Sequence, residues 1–216
     1  MASSTAGWSY PSAGSTPWPS EMGEPLRIVV MGVSASGKST VAQALADQLG
    51  CRHIEGDTLH PRANVAKMAA GDPLADADRW PWLARIRREL SRGGVGGRGV
   101  VVSCSALRRS YRDLLRDAGG VRFVFLDLSV AEATRRATDR VGHFMDASMV
   151  ASQFSTLERP DGLEVDVTVV DAAAPVDWIV GRAMEASLAP FGDAPLAALP
   201  TEPACTPEQA RLPPPS

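Results

Sequence analysis

Short apolar runs alternate along this chain with segments in which apolar residues recur at every third or fourth position. Short β-branched runs favour buried strands, and the longer periodic segments favour helices. The pattern predicts strands at 26–31, 52–55, 100–103, 121–128 and 167–170. It predicts helices at 40–49, 61–70, 81–92, 107–118, 130–140 and 176–188, with 142–145 interrupting a later helical stretch. Continuous apolar strands separated by helices are typical of an α/β fold with a parallel sheet covered on both faces.

The two ends of the chain lack this pattern. Residues 1–24 are rich in Ser, Pro, Gly and Thr and carry neither the basic start nor the apolar stretch of a targeting signal. Residues 190–216 are rich in Pro and Ala, which do not continue a packed helix. We therefore expect two disordered tails around one domain at 25–189, and 44% hydrophobic residues in a chain of 216 can fill its core.

Charge and cysteine content narrow the classes of partner. The formal net charge of −3 gives no general attraction to nucleic acid or to anionic lipid, and no segment has the length and apolarity of a membrane span. We expect neither kind of partner. Cys51, Cys104 and Cys205 show no metal-binding spacing, which indicates reduced thiols and a cytoplasmic location. Cys104 ends an apolar run and is interpreted as a core residue rather than a nucleophile.

A phosphate-binding pattern, G-x-x-x-x-G-K-[ST], is complete at 32–39, between the first predicted strand and the first predicted helix. We call these residues the phosphate loop. Backbone N–H groups at a helix N-terminus attract negative charge. We expect Lys38 to reach the β- and γ-phosphates of a nucleotide and the Ser39 hydroxyl to bind Mg²⁺. An ordinary glycine- and serine-rich turn is the other interpretation, which the complete match disfavours. The residues expected to contact ATP are Gly32, Val33, Ser34, Ala35, Ser36, Gly37, Lys38, Ser39 and Thr40.

The loops that follow the predicted strands hold the other polar candidates. Such loops meet at one edge of a parallel sheet, where ligands bind. Asp57 follows the second strand and is a candidate for catalysis or for a link to Mg²⁺, with a helix cap or turn residue as the other interpretation. His60 either binds substrate or caps the helix that opens at Pro61. His53, His60 and His143 do not have the spacing of a metal site.

Several further segments resemble gluconokinases of the small P-loop type, in that family's order. Beside the phosphate loop these are GDTLHP at 56–61, NVAKMAAGDPLADAD at 64–78, RWPWL at 79–83, CSAL at 104–107, YRD at 111–113, GHFM at 142–145, QF at 153–154 and LERP at 157–160. The combination is far more specific than the phosphate loop alone, and it covers about 27–188. Two departures are mild, since Ala35 stands where glycine is common and Arg108 where lysine is often found.

This resemblance implies ATP- and Mg²⁺-dependent phosphorylation of D-gluconate to 6-phospho-D-gluconate, which feeds the pentose phosphate or Entner–Doudoroff route. It implies a three-layer P-loop kinase fold similar to nucleoside monophosphate and shikimate kinases. A homodimer is also implied. Such chemistry asks the protein mainly to position the reactants and to neutralise charge.

The resemblance also assigns residues to the acceptor. Asp57 is expected to orient and deprotonate the sugar hydroxyl, with His60 and Lys67 on the substrate side. A carboxylate is bound best by a bidentate arginine, and Arg79 and Arg112 are the candidates; a solvated helix charge is the other interpretation of each. One of Trp80 and Trp82 is expected in the core and the other at the sugar site.

A segment resembling the family's lid carries Arg136, Arg140 and His143. Closure over ATP would exclude water and bring positive charge to the γ-phosphate. The catalytic set expected from sequence is therefore Lys38, Asp57, Arg136 and Arg140, with His143 beside the substrate. Asp127, which follows four apolar residues near the end of the fourth predicted strand, is a competing carboxylate for Mg²⁺.

Two alternatives belong to other functional classes. A kinase of another acceptor, such as shikimate or a nucleotide, would share the phosphate loop. The glycine cluster here precedes the third strand, whereas shikimate kinases carry theirs after it. A non-catalytic nucleotide switch is the second alternative, and the chain has neither the Asn-Lys-x-Asp motif for guanine nor an Asp-x-x-Gly switch after a strand.

Overall fold

The computed structural model describes residues 24–93, 98–139 and 147–189. Within them the strands are β1 (Leu26–Met31), β2 (Arg52–Glu55), β3 (Gly99–Ser103), β4 (Val121–Asp127) and β5 (Val167–Asp171). All four pairings between them are parallel, in the order β2-β3-β1-β4-β5. The predicted parallel sheet is confirmed, and β1 lies at its centre.

Helices cover this sheet. Over the described ranges they are α1 (Lys38–Leu49), α2 (Arg62–Ala69), α3 (Asp76–Arg92), α4 (Arg109–Arg116), α5 (Val130–Asp139), α6 (Ala147–Thr156) and α7 (Val176–Leu188), with one 3-10 turn at Gly56–Leu59. The predicted bounds of β1, β2 and α7 are confirmed. The other predicted elements are present with shifted ends, except that α5 begins at Val130 as predicted and its predicted end at 140 lies outside the described residues.

Two apolar cores lie on the two faces of the sheet. Ile28 and Val30 of β1 face one core, which α1, α5, α6 and α7 complete. Val29 and Met31 face the other, which includes side chains of α3 and α4. Successive side chains of a strand point to opposite faces, so a central strand that is apolar at every position serves both cores. Helices on both faces of the sheet give the predicted three-layer arrangement.

The start of α3 differs from the prediction. We expected a helix from Pro81, yet α3 begins at Asp76 and keeps Pro81 inside. The Asp78 carboxylate accepts the Ala75 N–H at 2.9 Å, and Asp76 and Asp78 place negative charge in the first turn. Both features stabilise a helix N-terminus, which explains a start well before the proline.

The parallel sheet brings three loops to one edge. The phosphate loop follows β1, the 3-10 turn with Asp57 follows β2, and the CSAL segment follows β3. Backbone bonds join them: Cys104 N–H donates to Val30 O at 3.0 Å and Gly32 N–H to Ser105 O at 3.3 Å. A Cβ on Gly56 would lie 2.2 Å from Ser103 O, so only glycine lets the Asp57 turn approach β3 this closely.

Candidate active site

The phosphate loop adopts a conformation suited to an anion. Gly37 has φ 92°, α1 begins directly after it at Lys38, and the first turn of α1 contains no acidic residue. The first N–H groups of a helix have no partner inside the helix, so they are available to a bound phosphate. Ala35 has φ 64°, in the left-handed region that glycine adopts more easily.

Two side chains of the loop also fit a polyphosphate. Lys38 Nζ donates to Val33 O at 2.9 Å and so lies folded along the loop. The Ser36 hydroxyl is buried and has no hydrogen-bond partner among the described residues. A buried polar group without a partner is costly, and a phosphate oxygen would provide one.

Asp57 lies exposed beside a buried cluster at the ends of β2 and β3. The Ser103 hydroxyl donates to Glu55 Oε1 at 2.5 Å. Burial raises the pKa of the neighbouring Cys104 thiol to about 12, and the charges of Asp57, Lys38 and Glu55 all act on it. These charges therefore share one neighbourhood. Cys104 is a protonated core residue, as predicted.

His60 is held rigidly in a neutral form. Its ring stacks on Trp82 with centroids 4.2 Å apart, and Asn64 Nδ2 donates to His60 Nδ1 at 3.2 Å. Burial lowers the pKa of His60; the charge of Asp57 opposes this shift and that of Arg79 adds to it. The imidazole contacts the first turn of α2 through the Asn64 side chain, and the N-cap residue Pro61 makes no side-chain cap bond. His60 thus lies close to both Asp57 and Arg79.

Arg79 belongs to a cluster centred on the Asp76 carboxylate. Asp76 accepts from Tyr111 OH at 2.5 Å, from Arg108 Nη1 at 2.6 Å and from Arg79 Nη1 at 3.3 Å. The hydrogen bond from Tyr111, followed by the charges of Arg108 and Arg79, lowers the pKa of Asp76. Two guanidinium groups are therefore directed at one carboxylate. The sequence analysis gave Asp76, Arg108 and Tyr111 no role in the site.

The positions of the two tryptophans agree in part with the expectation of one in the core and one at the sugar site. Trp82 is buried, and its indole N–H donates to Gly56 O at 2.8 Å. Trp80 is exposed and meets the Tyr111 ring edge to face, with centroids 5.4 Å apart. Trp80 therefore borders the arginine cluster. Lys67 lies on the same side of the fold, with its Nζ 2.7 Å from Asp78 Oδ1.

Arg112 contradicts the prediction made for it. Its side chain is 1% exposed, and its Nε and Nη2 donate to the two oxygens of Glu164 at 2.8 and 2.5 Å. Its Nη1 donates to the carbonyls of Ala106 and Leu107. A guanidinium committed in this way cannot bind a substrate carboxylate, so Arg112 leaves the candidate clamp. The YRD pattern gave no signal of Glu164, which lies 52 positions away.

The remaining predicted residues lie elsewhere or outside the described ranges. Arg136 Nε donates to Glu132 Oε1 at 2.7 Å and Arg136 Nη2 to Ala172 O at 3.0 Å. Arg140 and His143 lie outside the described residues. The Asp127 carboxylate pairs with Arg159, and β4 lies on the other side of β1 from β3 and β2. Asp127 therefore lies on the other side of β1 from the turn that carries Asp57.

No group of three or more His, Cys, Asp or Glu side chains in the described ranges could hold a metal ion. A Mg²⁺ ion would then take few ligands from the protein, which is usual when the ion is bound by substrate phosphates and water. The Ser39 hydroxyl, in the exposed first turn of α1, is of the hard oxygen type that Mg²⁺ accepts. No helix among the described residues combines the length and apolarity needed to span a membrane.

Comparisons with known proteins agree with this arrangement. A family model described as an AAA domain matches residues 28–160. A gluconokinase of Gluconobacter oxydans is 52% identical over 138 residues, covering 63% of this chain and 78% of that protein. The thermoresistant gluconokinase of Escherichia coli is 42% identical over 160 residues, covering 73% of this chain and 90% of that protein.

Solved structures point to the same fold. A gluconokinase from Sinorhizobium meliloti superposes with a TM-score of 0.68 at 51% identity, covering 76% of this chain and 91% of that chain. An APS kinase from Mycobacterium tuberculosis, at 22% identity, has a TM-score of 0.58 and covers 76% of this chain and 97% of that chain. The latter likeness concerns the fold alone.

Proposed function

This chain belongs to the gluconokinase family, and we propose that it transfers the γ-phosphoryl group of ATP to a hydroxyl of D-gluconate, giving 6-phospho-D-gluconate and ADP. The alternatives of a shikimate or nucleotide acceptor and of a non-catalytic nucleotide switch are disfavoured by family membership. The assignments of individual residues below are part of the proposal.

The observation that carries the choice of a sugar acid is the convergence of Arg79 and Arg108 on Asp76. Asp76 presents these arginines with the same chemical group that a sugar acid presents. Arg79 is only partly exposed, which limits competition from water for its bonds. We assign Arg79 as the main carboxylate ligand and Arg108 as its neighbour, since paired guanidinium groups suit carboxylates. Lys67 adds positive charge on this side.

The donor end uses the phosphate loop. The N–H groups after Gly37 and the Lys38 ammonium would hold the β- and γ-phosphates, and the buried Ser36 hydroxyl fits a phosphate oxygen. Mg²⁺ held at Ser39 would supply charge neutralisation on the phosphates. The side chains and backbone of the protein would exclude water and align the two substrates.

Asp57 acts on the acceptor hydroxyl. Its exposed carboxylate lies near Cys104, whose pKa is also affected by the charge of Lys38, and near His60, whose pKa is also affected by the charge of Arg79. It can therefore orient the hydroxyl and accept its proton while the arginines hold the other end of the sugar acid. Neutral His60, with Nδ1 accepting from Asn64, carries its proton on Nε2 and can donate a hydrogen bond to a sugar oxygen.

Arg136, Arg140 and His143 retain their proposed roles near the γ-phosphate and the substrate. Arg136 is anchored by Glu132 and by the carbonyl of Ala172, which follows β5. That anchoring keeps one cation at the sheet edge shared with the phosphate loop. Measuring kcat for Arg136→Met tests the proposed role of Arg136 near the γ-phosphate.

Three further proposals concern the setting. We place the enzyme in the cytoplasm, where ATP is available and where the free thiols of Cys51 and Cys104 stay reduced. The product would enter the pentose phosphate or Entner–Doudoroff route. We also propose a homodimer, supported by the exposed apolar side chains of Leu163 and Val165 and testable by light scattering.

A coupled assay of ADP release tests the function. Gluconate, shikimate and nucleoside monophosphates are each supplied with ATP and Mg²⁺, and we expect turnover with gluconate only. Lys38→Ala provides the inactive control. Turnover with another acceptor, or ATP binding with every acceptor left untouched, would contradict the proposal.

A further inference from the structure

Gln153 of α6 bonds to the phosphate loop through a single residue, Ser34. The Ser34 N–H donates to Gln153 Oε1 at 2.6 Å, and Gln153 Nε2 donates to the Ser34 hydroxyl at 2.7 Å. Both ends of one carboxamide are therefore bonded to one loop residue. The partners are 119 positions apart, so only the tertiary fold brings them together.

The backbone N–H of Ser34 needs a partner from outside the turn in which Ser34 lies. Ser36 N–H donates to Val33 O at 3.3 Å, which closes a turn with Ser34 and Ala35 as its central residues. The N–H of the first central residue of a turn has no partner within the turn. Ala35 follows with φ 64°, a conformation that costs an alanine more than a glycine. Gln153 satisfies the open N–H and holds the strained turn closed.

The helix that presents Gln153 is itself fixed. Val150 of α6 is fully buried in the core that α1 shares, and Phe154 packs against the same core. These two residues flank Gln153 and restrict any shift of the backbone that carries it. A rigid support is what a group needs if it is to position another.

We infer that Gln153 is a positioning residue for ATP, acting through Ser34. It keeps the central turn of the loop in place so that the N–H groups after Gly37 face the phosphates. The inference rests on the proposed use of ATP but not on the identity of the acceptor. It predicts an effect on nucleotide binding that is larger than the effect on gluconate.

The test compares Gln153→Met, which keeps the length and removes both bonds, with Gln43→Met. Gln43 lies exposed on α1, where it bonds to Asp47 and His53 away from the loop. Titration calorimetry gives the Kd for ATP, and steady-state kinetics give the KM for gluconate. We expect Gln153→Met to raise the Kd for ATP about tenfold, with gluconate KM within twofold and Gln43→Met unchanged.

A second variant keeps the inference testable if Gln153→Met folds poorly. Ser34→Ala removes only the hydroxyl partner and should raise the Kd for ATP about threefold. The double variant should bind ATP more tightly than the two separate effects predict, because the residues act as one unit. Additive effects, or a lower melting temperature with unchanged Kd for ATP, would reduce Gln153 to a structural contact. The calorimetric titration is done without gluconate, so the measured Kd for ATP does not depend on whether gluconate is the acceptor.

Discussion

Arg112 and Glu164 form a bidentate ion pair with both side chains almost fully buried, at 1% and 2% exposed. The pair joins α4 to the segment that leads into β5. Arg116 adds a further bond from its Nη2 to Glu164 Oε2 at 2.7 Å. Arg112, which the sequence placed at the substrate, therefore serves instead to fix the carbonyls of Ala106 and Leu107 in the CSAL segment.

Replacing Glu164 by Gln should destabilise the fold by about 3 kcal/mol or more, because it leaves a buried guanidinium without its counter-charge. Urea unfolding at pH 7 measures this. Glu185→Gln is the matched control, since Glu185 pairs with Arg182 at the surface and should change stability by at most about 1 kcal/mol. Equal effects of the two substitutions would show that burial of the pair contributes nothing.

Acid should weaken the same pair. Burial by itself would raise the pKa of Glu164, yet the hydrogen bonds from Arg112 and Arg116 outweigh it and lower the pKa from 4.5 to about 2. A carboxyl whose pKa is lower in the folded state stabilises the fold above its unfolded pKa, and loses this as pH falls towards the folded pKa. The stability difference between wild type and Glu164→Gln should therefore shrink from pH 5 to pH 3. A constant difference in unfolding free energy would contradict this.

Arg79→Lys keeps the positive charge but loses the fork of donors. We expect the KM for gluconate to rise about tenfold while the KM for ATP changes little, because only the carboxylate contact is weakened. Arg87→Lys is the matched control, because Arg87 lies on α3 like Arg79 but pairs at the surface with Asp117, which follows α4. An unchanged KM for gluconate would return Arg79 to the role of a surface charge.

The tails provide a fourth prediction. Neither 1–24 nor 190–216 has the periodic apolar residues that packing requires. A chain shortened to 25–188 should keep its circular dichroism spectrum and its kinase activity. Loss of activity with an unchanged spectrum would place part of a tail at the site.

Periodicity predicted the fold well because the strands are continuous apolar runs, as in β1, where every residue from Ile28 onward is buried. Periodicity failed at α3. Pro81 was interpreted as the start of this helix, but the helix begins at Asp76, with acidic residues in its first turn. A pattern of apolar positions does not reveal which charged side chains cap a helix.

The site was predictable where its chemistry is local in sequence, as in the phosphate loop and the turn with Asp57. It was not predictable where contacts are distant. Nothing near Arg112 indicates that Glu164 binds it, and nothing near Ser34 indicates Gln153. Such pairs depend on the tertiary fold.

The last prediction concerns Asp57. Asp57→Asn keeps the shape of the side chain but removes the charge and the basic oxygen that would accept the acceptor's proton. In a loose transition state this proton leaves late, so the loss should appear mainly in kcat, with a fall of about 10²-fold or more and little change in the Kd for ATP. Lys38→Ala should instead weaken ATP handling, because it removes the cation from the phosphates. Asp127→Asn is the comparison, since the Asp127 carboxylate already pairs with Arg159 on the other side of β1 and should affect kcat less. If Asp57→Asn kept near-normal kcat while Asp127→Asn lost it, Asp57 would be a turn residue and Asp127 the functional carboxylate.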